Sequence, residues 1–325
     1  MLANRLSPKG CGLLLAICGV LAISFDALLV RLAQTDNANV IFWRGIFIFL
    51  SLSLVQLIRQ RRSPVRAVLD GGAAAAGSTV FYGLGGVLFV SAVMFTDVAN
   101  AVVIISMSPL FAGLLTWIFG IEAIPVRTWP AIACAISGVV LVFYGSLGAG
   151  GMLGNLIALL ASLNIGSNLT LLRQNTWLDP LPLVCVGGAI MALLSFPFAS
   201  PLSLDPQSYG VLALMGLVQM PAALVLIGLS TRYLPSPEVS LFLLVETVCA
   251  PIWVWLALGE EPPGLTFVGG GIILATLVVH FWLGLREIEE TAEPASPQAS
   301  AAPSDKQPAS GKAQLEPQKG FPRRG

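Results

Sequence analysis

A chain of 325 residues that is 56% hydrophobic, only 10% charged and has a mean hydropathy of +0.84 lacks the polar surface to coat soluble domains. Basic and acidic residues balance at 17 each, so no basic face is left over for a nucleic-acid partner. Apolar runs of about 18 to 24 residues cross ~30 Å of hydrocarbon as helices, and the absence of short-period alternation excludes a membrane barrel.

In chain order, apolar runs bounded by charges, prolines and glycine clusters predict ten spans, at about 10–33, 39–58, 73–95, 99–120, 129–146, 151–172, 181–198, 208–231, 237–258 and 265–285. Arg5 and Lys9 precede the first like the start of a signal peptide, but the run is too long and has no clear small-x-small cleavage site, so it reads as a retained span. The seventh is short and ends at Pro197. Past Arg286 the composition turns to Ala, Pro, Ser and Gln, and residues 287–325 read as a disordered cytoplasmic tail. Placing loops on alternate sides gathers Arg59, Arg61, Arg62, Arg66, Arg127, Arg173, Arg232 and Arg286 together. The other side keeps Arg31, with Arg44 just inside a span. The positive-inside rule then puts both termini in the cytoplasm, in a bacterial-type inner membrane.

The chain also repeats itself. Gly12 and Gly154, Asp26 and Asn168, Arg31 and Arg173, and Gly45 and Gly187 are each 142 apart, while Trp117 and Trp255, and Glu122 and Glu260, are each 138 apart. The expected fold class is therefore an all-α polytopic membrane protein whose ten transmembrane helices form two inverted five-helix repeats, residues 1–148 and 149–286. Five spans per copy is an odd number, so the copies insert with opposite orientation. Inverted repeats of this kind place substrate near the midplane, between the halves.

Phe95-Thr96 and Ala99 leading into Ser106-Met107-Ser108-Pro109-Leu110-Phe111, a closing Gly120-Ile121-Glu122, Arg44 early in the second span and the five-plus-five duplication together resemble the EamA-domain branch of the drug/metabolite transporter superfamily. The resemblance covers about residues 10 to 285. It implies a secondary transporter exporting small metabolites, amino acids or their relatives, often driven by the proton gradient. The sequence departs from the family pattern in the second copy, which has Thr247 where the first has Pro109 and places its proline one turn later, at Pro251.

Intramembrane polar residues supply the candidate substrate-binding or coupling sites. An ionised Asp at a helix centre costs about 2.5–3.5 kcal/mol on insertion scales, so Asp26 reads either as a substrate or proton site or as a structural acid paired with Arg31 or Arg44. Glu246 stands near the middle of the ninth span, opposite Ser108 in the repeat. Pro109 and Pro251 mark helix kinks that free the carbonyls of Ile105 and Thr247, and freed carbonyls beside a carboxylate suit a cation or proton. Arg44 reads as a carboxylate anchor or a structural arginine. Asn164 and Asn168 share one face of the sixth span, and Tyr82 and Gln219 are weaker candidates of the same kind. Trp253, seven residues after Glu246, returns to its face and either floors a pocket or faces lipid.

No cofactor or metal is expected. All five cysteines lie in apolar segments without Cys/His clustering, and the single histidine, His280, leaves a membrane hydrolase poorly supplied. The leading reading is a proton-coupled exporter working by alternating access, with a small-molecule substrate, protons and the bilayer as partners. A metabolite exchanger and, more remotely, a non-transporting membrane interaction protein are the alternatives, and a homodimer stays open.

Overall fold

Ala, Leu, Val and Ile runs have no partner for their backbone polar groups in lipid except each other, so they coil. The computed structural model describes residues 8–60, 63–119, 128–145, 151–175, 177–230, 233 and 236–292, and no strand occurs among them. Gly120-Ile121-Glu122, the tail beyond 292, and Arg5, Arg61, Arg62, Arg127 and Arg232 lie outside the described residues, as do the side chains of Lys9, Arg173 and Arg286.

The helices are α1 (Pro8–Ser24), α2 (Asp26–Leu32), α3 (Asn37–Gln60), α4 (Pro64–Asp70), α5 (Gly72–Phe95), α6 (Val98–Ile105), α7 (Ser108–Ile118), α8 (Thr128–Gly145), α9 (Met152–Gln174) and α10 (Pro180–Ser195). They continue with a 3₁₀ turn (Phe196–Phe198), α11 (Pro206–Ala213), a π-helical segment (Leu214–Gln219), α12 (Met220–Ser230), α13 (Ser236–Leu258) and α14 (Gly264–Ala292). Their starts follow local chemistry. At α11, Asp205 accepts from the backbone N–H of Gln207 and Ser208 while Pro206 fills the first turn. The Ser208 hydroxyl bond and those backbone bonds hold the Asp205 carboxyl below its usual range.

Among the described residues, six stretches are long and apolar enough to cross a bilayer: Gly10–Leu32, Asn37–Arg59, Gly72–Phe95, Val98–Ile118, Met152–Leu172 and Pro180–Phe198. Trp129–Gly145, Val245–Leu258 and Gly264–His280 are shorter apolar helices. These helices make the chain an integral membrane protein. The outward faces are apolar, with Leu54, Phe119, Leu193 and Phe267 exposed, as a lipid-facing surface requires.

The helices pack in pairs that recur with the two halves exchanged. α5 lies on α9 and α12 on α1; α7 lies on α9 and α13 on α1; α5 lies on α10 and the π segment on α3. α3 with α10 and α6 with α13 pair across the halves. Small residues permit the closest approaches. A Cβ on Gly45 would stand 2.5 Å from the Gly188 carbonyl oxygen, and one on Gly138 would stand 2.7 Å from that of Gly269. The glycines of α5 and α14 serve the same end, Gly83 against Ile190 and Gly270 against Val103, while Gly271 meets nothing.

Connections sort to two ends. Asn39 accepts from Ser200 N–H at 2.7 Å, Trp43 Nε1 donates to Pro201 O at 3.1 Å, and Arg31 reaches Thr96 and Glu260. One end therefore collects the α2–α3, α5–α6, α10–α11 and α13–α14 junctions. At the other, Val68 of α4 packs with Leu178 of the α9–α10 junction.

Candidate functional site

The site begins where the first helix breaks. A single turn residue, Phe25, interrupts the helix between α1 and α2 while keeping right-handed helical torsions (φ −79°, ψ −6°), although the sequence there has neither proline nor glycine. A helix end leaves carbonyls without partners. Here Leu21 O accepts from Ser24 Oγ at 2.8 Å and Ala22 O accepts from Gln219 Nε2 at 2.9 Å. Ser24 Oγ in turn accepts from Trp253 Nε1 at 2.9 Å, and the Trp253 ring stacks on Phe25 with centroids 4.8 Å apart. The break is held by side chains from the π segment and α13, both in the second half of the chain.

Asp26 opens α2 immediately after that break and is 3% exposed. Its Oδ2 lies 2.8 Å from Nη2 of Arg44, itself 3% exposed on α3. The Arg44 guanidinium sits 5.5 Å from the ring centroid of Phe89 on α5. The ion pair uses one oxygen and one nitrogen. Asp26 Oδ1, Arg44 Nε, Arg44 Nη1 and Gln219 Oε1 are buried without hydrogen-bond partners. Half-buried Glu246 on α13 stands close enough for the charges of Asp26 and Arg44 to act on it. Two carboxyl groups share one guanidinium in a setting where an uncompensated charge is expensive. Spare acceptors beside Asp26 and Glu246 suit an ammonium group or a proton, and spare Arg44 donors suit a carboxylate.

The equivalent region of the other half is neutral. Asn168, at the repeat position of Asp26, accepts from Ser78 Oγ at 2.6 Å and lies in hydrogen-bond reach of Tyr82. Asn164 Nδ2 donates to Phe81 O at 2.9 Å. By the repeat offsets Asn164 corresponds to Ala22 and Phe81 to Gln219. The same inter-helix contact therefore recurs with the donating side chain moved to the opposite helix.

At Pro109 the helix breaks between α6 and α7, as its sequence predicts. The carbonyl it frees is not left open for a cation, which corrects the expectation from sequence: Ile105 O accepts from Ser108 Oγ and, at 3.3 Å, from Ser162 Oγ. Pro251 lies inside an unbroken α13.

Of the residues singled out from sequence, the fold pairs Asp26 with Arg44, leaves Glu246 within range of their charges, and sets Gln219 and Trp253 on the turn beside Asp26. Tyr82, Asn164 and Asn168 form a separate network, and Ser108 turns to its own backbone. Sequence reading left out Ser24, Phe25 and Phe89; a serine two residues before an intramembrane acid was the one available signal.

At the Arg31 end, Arg31 Nη2 donates to Thr96 O at 2.9 Å and to Glu260 Oε1 at 3.2 Å, and Glu260 Oε1 also accepts Val98 N–H at 2.9 Å. Half-buried Asp97 accepts from Asn100 Nδ2 at 3.3 Å. Burial first, and Glu260 second, push the Asp97 carboxyl above its usual range, against the pull of Arg31. A cavity of about 440 Å³, lined by Val30, Arg31, Thr35, Asp36, Asn39 and Met94 among others, adjoins this cluster.

The sequence profile of the EamA-like transporter family matches the chain twice, over residues 10–144 and 152–282. The two matches start 142 residues apart and end 138 apart, the two offsets of the internal repeat. No curated protein matches. Seven chains of solved structures do, among them a crystal structure with a TM-score of 0.59 at 14% identity, covering 85% of this chain and 99% of its own. At that identity the likeness is one of fold.

Proposed function

We propose that this chain, which belongs to the EamA-like transporter family of membrane transporters in the drug/metabolite superfamily, is a proton-coupled exporter of a small metabolite carrying both an ammonium and a carboxylate, such as an amino acid or a relative. Two inverted five-helix repeats, ten spans in all, rock about a site formed by Asp26, Arg44 and Glu246, in an inner membrane with both termini cytoplasmic.

The observation that carries this reading is the incompletely satisfied Asp26–Arg44 pair with Glu246 in electrostatic reach. A purely structural ion pair in lipid would have its remaining donors and acceptors met, because each one left over is costly. A solute whose ammonium meets Asp26 and Glu246 and whose carboxylate meets Arg44 satisfies those groups, and a proton on one of the carboxylates balances the charge when the solute has left. Competition between proton and ammonium for the same acceptors couples the two fluxes. The exchange of packing partners between the halves, and the mirrored Gln219–Ala22 and Asn164–Phe81 bonds, support a pseudo-two-fold relation between the repeats.

Flux from proteoliposomes under an imposed pH gradient, across a panel of amino acids and related zwitterions, tests the assignment. Glu246→Gln and Asp26→Asn are expected to abolish gradient-driven accumulation, with Glu246→Gln keeping residual downhill movement. Gradient-driven transport at the native rate in both variants would remove them from the coupling. Flux that requires a counter-solute inside the vesicle and ignores the pH gradient would establish the exchanger instead.

A further inference from the structure

The Arg31 end carries a second charged cluster, separate from the Asp26 site, that ties three junctions together. Arg31 closes the last turn of α2, five residues beyond Asp26 on the same short helix, so a movement of α2 moves both residues. Its guanidinium spans from the Thr96 carbonyl to Glu260, while Glu260 holds the first N–H of α6. Behind Glu260 runs a narrow crevice lined by Asp97, Val98, Ala99, Pro251 and Val254, and Ala99 and Val254 are buried beneath the pair.

We propose that Arg31, Glu260 and Asp97 form a gate at this end of the transport path, closed in this structure by the Arg31–Glu260 pair, and that closing it takes up a proton. The proposal rests on the transport reading above and adds how one end of the path is controlled. The parts have the properties a gate needs. The pair is one contact at 3.2 Å, each side chain is 24% exposed, and Glu260 retains the Val98 N–H when Arg31 swings away, so opening leaves no buried orphan on that side. Polar space for Arg31 to swing into is present in the cavity it already lines.

The charges facing the cluster set the direction of the pH response. α2 contributes Arg31, the α2–α3 junction the exposed Asp36, the α5–α6 junction Asp97, and the α13–α14 junction Glu260 and exposed Glu261. α6, α9 and α14 contribute the neutral Asn100, Asn155 and Thr266. With one arginine among carboxylates, closure crowds Asp97 against Glu260. Asp97 therefore binds its proton more tightly in the closed arrangement than when solvated, as its upward shift by burial and by Glu260 indicates. By linkage, falling pH favours the closed gate and rising pH opens it.

Thiol labelling reads the gate without any solute. Ala99→Cys places a thiol in the crevice behind Glu260, and Leu202→Cys, at a position 92% exposed, corrects for the intrinsic pH dependence of the reagent. The full-length protein in nanodiscs is treated with an impermeant maleimide, and the labelling of the parent chain is subtracted. The corrected Ala99→Cys rate should fall as the pH is lowered from about 8 into the acidic range where a carboxyl held above its usual range takes up its proton. Adding Asp97→Asn should leave the rate low and flat, and adding Arg31→Gln or Glu260→Gln should leave it high and flat. A pH response that survives Asp97→Asn, or native rates in both Arg31→Gln and Glu260→Gln with an unchanged thermal unfolding profile, overturns the gate. Because no transport is measured, the gate can fail while the flux results at Asp26 and Glu246 stand, and the reverse.

Discussion

Asp26 and Arg44 satisfy each other only in part, and that distinguishes them from a pair that merely holds two helices. Removing one partner of a buried pair leaves the other charged in an apolar surrounding, at a cost of about 3–5 kcal/mol, whereas removing both charges is close to neutral. Arg44→Gln is therefore expected to lower the thermal unfolding temperature in detergent sharply, and Asp26→Asn with Arg44→Gln to recover most of the loss. A double variant no more stable than Arg44→Gln alone would show that the two side chains do not share one energetic unit. The acid was legible in the sequence, because an aspartate within an apolar stretch running from Gly10 to Leu32 must be compensated. Its partner was not, because Arg31, five residues on in α2, and Arg44, early in α3, were both available. The fold separates them by giving Arg31 a different acid, Glu260.

At the scale of the element, the two broken helices had unequal visibility. The break at α6–α7 falls just before Pro109, whose missing N–H and ring disfavour a continuous ladder there, whereas Pro251 is carried inside an unbroken α13. The break at Phe25 comes from tertiary partners instead: Gln219 and Trp253, nearly two hundred residues or more away, supply the bonds that the ended helix lacks. No local pattern reports such a contact. Membrane hydrogen bonds of this kind average about 0.6 kcal/mol and reach about 1.7, so Gln219→Leu and Asn164→Leu should each cost that order in unfolding stability. Their effects on flux should differ. Gln219 holds the turn that carries charged Asp26 and should shift the pH profile of transport. Asn164 holds the turn of neutral Asn168 and should lower the rate without moving that profile. Equal shifts from both variants would contradict the division into a charged and a neutral half. The π segment ending at Gln219 fits the same account, since an extra residue in a helical turn re-aims one side chain, here toward Ala22.

For the whole molecule, the repeat was the most legible property, because the 142 and 138 offsets need only residue identities, and the family profile divides the chain at the same offsets. Side-chain partners across the halves were not, since they depend on helix rotation about axes that hydrophobicity leaves undetermined in a chain apolar on nearly every face. The arrangement in the bilayer follows from where the junctions gather. Leu202 belongs to the α10–α11 junction, at the end that holds Arg31 and Glu260, and Leu69 belongs to α4, beside the Leu178 end. Among the described residues the first end carries Asp36, Asp97, Asp205, Glu260 and Glu261 with Arg31 as its basic residue, while at the second Arg59 and Arg66 stand with Asp70 and Asp179. On the positive-inside rule we propose that the second end faces the cytoplasm. In intact cells, an impermeant thiol reagent should label Leu202→Cys and spare Leu69→Cys until the membrane is opened. Labelling of both from outside would mean that the two ends do not face opposite sides, and the inverted five-plus-five arrangement would fall with it. The reverse pattern would keep the inversion but turn the molecule over, placing the Arg31–Glu260 gate on the cytoplasmic side and making its proton uptake a response to internal pH.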